Sequence, residues 1–151
     1  MPTVARARTV HAGPQEVWEL LVDPYHLPRW WPRVERVEDA TPEAWTTVMR
    51  SSSGRTVRAD YTRTDADRPH RLVWRQDLDE TPFERVFAEA STELTLEPDG
   101  EAATRVELRA VQRLRGSSRF GGFLARRAAR RQLDAALDGL ERVFPGERNG
   151  S

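Results

Sequence analysis

From about residue 33 to residue 114 the chain carries six strand-like segments in succession with no helical stretch among them. The segments lie near 33–39, 44–51, 55–65, 70–78, 84–97 and 103–114. Turn chemistry separates them, at Ser53-Gly54, Arg68-Pro69, Thr81-Pro82 and Pro98-Asp99-Gly100. Parallel neighbours need long crossovers, most often helical, so such a run predicts an antiparallel sheet. Beyond it, residues 117 to 144 are dominated by Ala, Leu, Arg, Gln and Glu and read as one long helix. Ser117 and Ser118 are its cap candidates, and Pro145-Gly146 closes it.

The front of the chain is different. "TVARARTV", residues 3–10, alternates and reads as a strand. In "AGPQEVWELLVDP", Pro14 suits the first helical position, Glu16 favours the first turn, and Asp23-Pro24 ends the helix. "HLPRWWP" follows, with Pro28 opening a second short helical piece and Pro32 closing it. The order is strand, two short helices, six strands and a long helix, without internal repeat or linker. This is an α+β arrangement and one domain, residues 1–146, with residues 147–151 as a flexible C-terminal tail.

Composition removes several function classes. The 151 residues can bury roughly two-thirds of the surface of the unfolded chain, enough for a core or a cavity. Charge is balanced at 24 against 24, which gives no global attraction to nucleic acid or anionic membrane. Every basic residue is arginine, a forked anion donor. There is no cysteine, so disulfides and thiolate metal sites are excluded. His11, His26 and His70 are scattered without metal-ligand spacing, so neither metal nor cofactor is expected. No apolar run is long enough to insert stably in a membrane, and no apolar signal core opens the chain, so the cytoplasm is the expected location. No phosphate loop, dinucleotide fingerprint or nucleophile elbow is present.

The segment "AGPQEVWELLVDPYHLPRWWPRVERVE" near the front, the hairpin "DGEAATRVEL" and the single long terminal helix resemble the START/Bet v1-like (SRPBCC) superfamily, in its polyketide cyclase/dehydrase-like branch. The resemblance spans nearly the whole chain. It implies a helix-grip fold, in which a curved antiparallel sheet of about seven strands wraps the C-terminal helix around a deep cavity. It implies binding of a hydrophobic or aromatic small molecule, lipid- or polyketide-like, more firmly than any reaction.

Strand alternation sorts the candidate lining. The inward sets are Trp45, Thr47 and Met49; Val57, Ala59 and Tyr61; Leu72, Trp74, Gln76 and Leu78; Ala88, Ala90, Thr92, Leu94 and Leu96; and Val106, Leu108, Ala110, Gln112 and Leu114. Small residues on these faces leave volume unfilled. Tyr61, Gln76, Thr92 and Gln112 are polar groups on otherwise apolar faces, the composition of a small-molecule pocket or of a filled core with satisfied polar groups. Trp30 and Trp31 point about 100° apart on one turn, so both could plug the end of the sheet, or one could enter the pocket wall. Trp18 reads as core.

On the terminal helix, Ala125, Ala129, Leu133, Ala136, Leu140 and Val143 share one face. Phe120, Phe123 and Leu124 fall outside it, beside Gly121-Gly122, where the helix either begins late, near Phe123, or bends. "RFGGFL" could gate the cavity, pack on the sheet or dock on a partner. Arg126 lies at the edge of the apolar face, within reach of an acidic head group. The candidate ligand-binding set is therefore Trp31, Met49, Tyr61, Trp74, Gln76, Ala90, Thr92, Gln112, Phe123 and Arg126. Three functions remain open: a small-molecule binder, an aromatase/cyclase-type enzyme working in the same cavity, and a lipid or quinone carrier that docks on a partner or membrane surface. A homodimer stays possible. Nucleic acid is not an expected partner.

Overall fold

The computed structural model describes residues 3–51, 53–79, 81–116 and 119–146, with Pro82, Phe83, Arg119 and Phe120 described in backbone alone. The cap candidates Ser117 and Ser118 and the tail 147–151 lie outside the described residues.

Seven strands form one antiparallel sheet: β1 (Thr3–Val10), β2 (Val34–Glu38), β3 (Ala44–Arg50), β4 (Thr56–Asp67), β5 (Arg71–Asp77), β6 (Phe87–Pro98) and β7 (Thr104–Leu114). Their spatial order is β1-β7-β6-β5-β4-β3-β2. β2 to β7 thus form a meander of consecutive hairpins, and β1 closes the far edge against β7. This is the expected α+β, helix-grip architecture, a curved sheet with two short helices after its first strand and a long C-terminal helix.

The short helices are α1 (Pro14–Val22) and α2 (Leu27–Trp30), joined by a 3-10 turn at Pro24–His26. Pro14 begins α1 as expected. The Asp23 side chain accepts from the Tyr25 N–H at 3.0 Å, which starts the turn. The long helix α3 spans Arg119–Val143. It passes through Gly121-Gly122, so the late start near Phe123 does not occur. Strand β6 starts at Phe87 instead of 84 because Pro82–Arg85 coils into a 3-10 turn.

The core lies between the sheet's concave face and the helices. Trp18, Trp30, Leu72, Leu94, Leu108, Leu133 and Leu140 are all buried there. Leu137, which the sequence-derived face omitted, is fully buried too. The C-terminal half of α3 is tied to β1 by Arg6–Asp134 at 3.4 Å, Arg8–Glu141 at 3.3 Å and the contact of Arg8 with Asp138. Where α3 crosses α2 the approach is closer still. A Cβ on Gly139 would stand 2.1 Å from the Trp30 carbonyl oxygen.

Gly139→Ala therefore forces α3 away from α2. Overpacking against backbone costs about 3 kcal/mol, a fall of about 10 °C in the melting midpoint by calorimetry. Gly122→Ala provides the contrast. Its Cβ would meet nothing nearer than 3.8 Å in a helix, so the melting midpoint should rise slightly.

Candidate functional site

The concave face divides into a filled half and an open half. In the filled half α2 presses Trp30 and Trp31 onto the sheet, where Trp74 of β5 and Trp45 of β3 meet them. The ring centroids are 5.3 Å apart for Trp30–Trp31, 5.7 Å for Trp31–Trp74 and 5.7 Å for Trp45–Trp74, with the planes near perpendicular in each case. Such edge-to-face pairs are favourable beyond the area they bury. Tyr61 of β4 extends the run by stacking on Trp45 at 5.9 Å. Among these rings only about 10 Å³ is left, a void bounded by Leu27, Trp31, Trp45, Thr47, Met49, Tyr61 and Trp74. That is about one water.

The open half lies under the N-terminal part of α3, as a chamber of about 270 Å³. The sheet contributes Met49, Tyr61, Gln76, Phe87, Ala90 and Gln112. Helix α3 contributes Ala125, Ala128, Ala129 and Gln132. Among the described residues no charged side chain lines it. Its volume exists because α3 offers three alanines over Ala90, so neither wall reaches the other. Met49 and Tyr61 border both the chamber and the small void, and join the two halves.

The polar groups are few. Thr47 is buried and donates to the Ala59 carbonyl at 3.2 Å. The Tyr61 hydroxyl lies near Thr47, and its ring keeps partial exposure. Burial of the Tyr61 hydroxyl pushes its pKa up to about 12, the neighbouring Thr47 hydroxyl pulling the other way. The phenol is therefore a neutral donor across the physiological range. The Gln76 Nε2 is buried without a hydrogen-bond partner, as is the Trp45 indole N–H. An unsatisfied buried donor costs about 1–3 kcal/mol.

Of the sequence-derived candidates, Trp31 and Trp74 line the small void, Met49 and Tyr61 line both spaces, and Gln76, Ala90 and Gln112 line the chamber. Thr92, Phe123 and Arg126 line neither. Thr92 stands between Trp74 and Ala110 in the sheet register. Phe123 is 48% exposed and Leu124 47%, and Arg126 points to solvent. The Phe120 side chain lies outside the described residues. Ala88 does not face inward as expected. The register slips between Phe87 and Glu89, which turns Phe87 into the chamber and leaves Ala88 beside Arg75, Asp77 and Glu89 at a separate surface pocket. Sequence reasoning missed Gln132 and Ala128, although Ala125, Ala128 and Gln132 are spaced i, i+3, i+7 on one helix face. Among the described residues no cluster of His, Asp or Glu could hold a metal, and no helix is long and apolar enough to cross a membrane.

A curved sheet gripping a terminal helix around an uncharged, largely apolar chamber defines a cavity-bearing helix-grip protein. Comparison with known proteins places it further. Residues 1–145 match the family described as polyketide cyclase / dehydrase and lipid transport, and the chain belongs to that family. Its fold is similar to the di-domain ARO/CYC BexL from the BE-7585A biosynthetic pathway, with a TM-score of 0.80 and 23% identity over 94% of this chain and 46% of that one. It is similar to a START superfamily protein from Mycobacterium smegmatis, with a TM-score of 0.76 and 13% identity over 94% and 96% of the two chains. The di-domain ARO/CYC StfQ from the steffimycin biosynthetic pathway aligns with a TM-score of 0.71 and 17% identity, over 99% of this chain and 52% of that one. The chain thus spans about half the length of either di-domain protein. No curated protein matches the chain.

The Tyr61 environment predicts its titration. The folded state holds the proton to about pH 12 while the unfolded phenol releases it near 10, so stability is complete below about pH 10 and is lost as pH rises towards 12. Absorbance at 295 nm should show a late-titrating component that Tyr61→Phe removes, and the same substitution should flatten the alkaline loss of stability.

Proposed function

We propose that the chain binds a hydrophobic or aromatic small molecule, lipid- or polyketide-like, in the chamber between α3 and the sheet. The carrying observation is that chamber: about 270 Å³, apolar but for neutral donors and acceptors from Tyr61, Gln76, Gln112 and Gln132. A flexible side chain at any of several alanines would fill it, yet the space is left. The unpartnered Gln76 Nε2 supports the reading, because a ligand oxygen in the chamber would satisfy it. Met49, Tyr61, Gln76, Ala90 and Gln112 are the proposed contacts, with Trp31 and Trp74 as the wall behind them. Phe123 and Arg126, which line neither space, are not among the proposed contacts, and Thr92 supports the sheet.

A second reading is a polyketide aromatase/cyclase-type enzyme in the same cavity. The family description and the likeness to two ARO/CYC proteins motivate it. Tyr61 favours it specifically, since a phenol that stays protonated can donate to an oxygen gaining negative charge. Among the described residues no carboxylate or imidazole lines the chamber to act as base, so such a reaction would depend on holding a chain in a folded pose. Loss of turnover of a poly-β-ketone substrate in Tyr61→Phe, with its binding intact, would favour this reading over simple carriage. The proposed location is the cytoplasm.

Native mass spectrometry of the protein as purified tests the first reading. It should show a bound apolar species that Ala90→Phe, which fills the chamber, removes. The variant should melt within about 5 °C of the parent, since it occupies space already empty. A parent that binds neither a co-purifying species nor an added apolar dye would overturn cavity binding.

A further inference from the structure

The chamber continues past Met49, Ala128 and Gln132 into a second space, a groove of about 750 Å³ open to solvent. The groove is chemically unlike the chamber. Among the described residues three charged ones line it, Arg33, Arg50 and Arg131, and no Asp or Glu does. Arg50 is neutralised by Glu35 at 2.5 Å. Arg33 and Arg131 form no ion pair among the described residues.

Several arginines of the sheet are matched to acids, as in Arg36 with Glu38, Arg71 with Glu93 and Arg109 with Glu107. The carboxylates that α3 does carry, Asp134, Asp138 and Glu141, are engaged by Arg6 and Arg8 on its β1 side. Nothing on the groove wall balances Arg131, one residue before the Gln132 that both spaces share. Arg33 sits in the turn that leads into β2. Its φ is +64°, a left-handed conformation that suits glycine and strains an arginine. Its carbonyl accepts the Arg50 N–H at 3.0 Å, which holds the turn against β3.

We propose that the groove takes the anionic end of an amphipathic ligand whose apolar body lies in the chamber, with Arg33 and Arg131 supplying the positive charge. The inference rests on the cavity-binding reading and adds the ligand's charge class. Guanidinium forks match carboxylate and phosphate oxygens alike, so either group is the shared chemistry. Both side chains are exposed, so the preference is moderate and sensitive to salt.

The test uses the full chain at low ionic strength and pH 8, with the neutral dye N-phenyl-1-naphthylamine as the chamber probe. Decanoate, decyl phosphate and decanol then compete for it. The anions should displace the dye at about tenfold lower concentration than decanol. In Arg33→Gln/Arg131→Gln the difference should shrink to within about twofold, with dye and decanol binding unchanged. Arg33→Gly separates charge from folding, because glycine accepts the positive φ: its thermal midpoint should hold while the anion preference falls. A preference confined to decyl phosphate or to decanoate would identify the head group. If dye and decanol bind but the anions show no advantage, or keep it in the double variant, the groove assignment is overturned and the cavity reading stands. If neither dye nor decanol binds, both fall.

Discussion

Helix α3 lies against α2 because residue 139 has no side chain, and the cavity depends on that contact. The Trp30 carbonyl occupies the place a Cβ would need. Fixing the helix there, with Asp134, Asp138 and Glu141 held by the arginines of β1, sets its angle over the sheet. The N-terminal half then projects over the open end of the concave face. What it presents to that face is small: Ala125, Ala128 and Ala129. A helix clamped at one end and thin-sided at the other cannot collapse onto the sheet without breaking the clamp. The unfilled volume is in this sense a consequence of close packing elsewhere.

The aromatic run from Trp30 through Trp31, Trp74 and Trp45 to Tyr61 complements this arrangement. It packs one half of the concave face until about a single water's space remains. Large rigid rings in edge-to-face contact supply core stability at low side-chain entropy cost. They also form a stiff floor for the chamber, so a guest meets a surface that does not remodel readily. Tryptophans placed side by side in "HLPRWWP" thus serve chiefly the core. Trp31 reaches the boundary of the small void without opening it, while Trp30 is buried with its indole N–H unpartnered.

The succession of elements along the chain and the helix count were legible because turn residues and alternating faces are local signals. Trp45, Thr47, Ala59, Trp74, Val106 and Leu108 all point inward as period two predicts. What local signals could not show was register. The slip between Phe87 and Glu89 exchanges Ala88 for Phe87 at the chamber, and nothing in "FAEAST" marks it. The glycine pair in α3 suggested an interruption, yet the helix continues through both, a glycine costing only about 1 kcal/mol in a helix. Gln132 escaped notice for a related reason. Gln132 is exposed, as a polar residue in an arginine-rich stretch suggests, and only the angle at which α3 crosses the sheet brings it to the chamber as well.

The polar groups themselves constrain what kind of recognition the cavity can perform. Tyr61, Gln76, Gln112 and Gln132 are neutral, and burial raises the phenol's pKa, so no chamber group changes charge near neutrality. A charged side chain in that space would carry a desolvation cost far above that of an amide, unless paired. Neutral donors select by geometry: an oxygen that reaches the Gln76 Nε2 offsets a penalty the empty protein already carries, and one that misses gains nothing. Charge is left to the solvent-facing groove, where arginines remain hydrated and cost little to keep. A ligand matched to this division would be uncharged and oxygen-bearing along its buried body, with any ionised group at the end that emerges beneath α3.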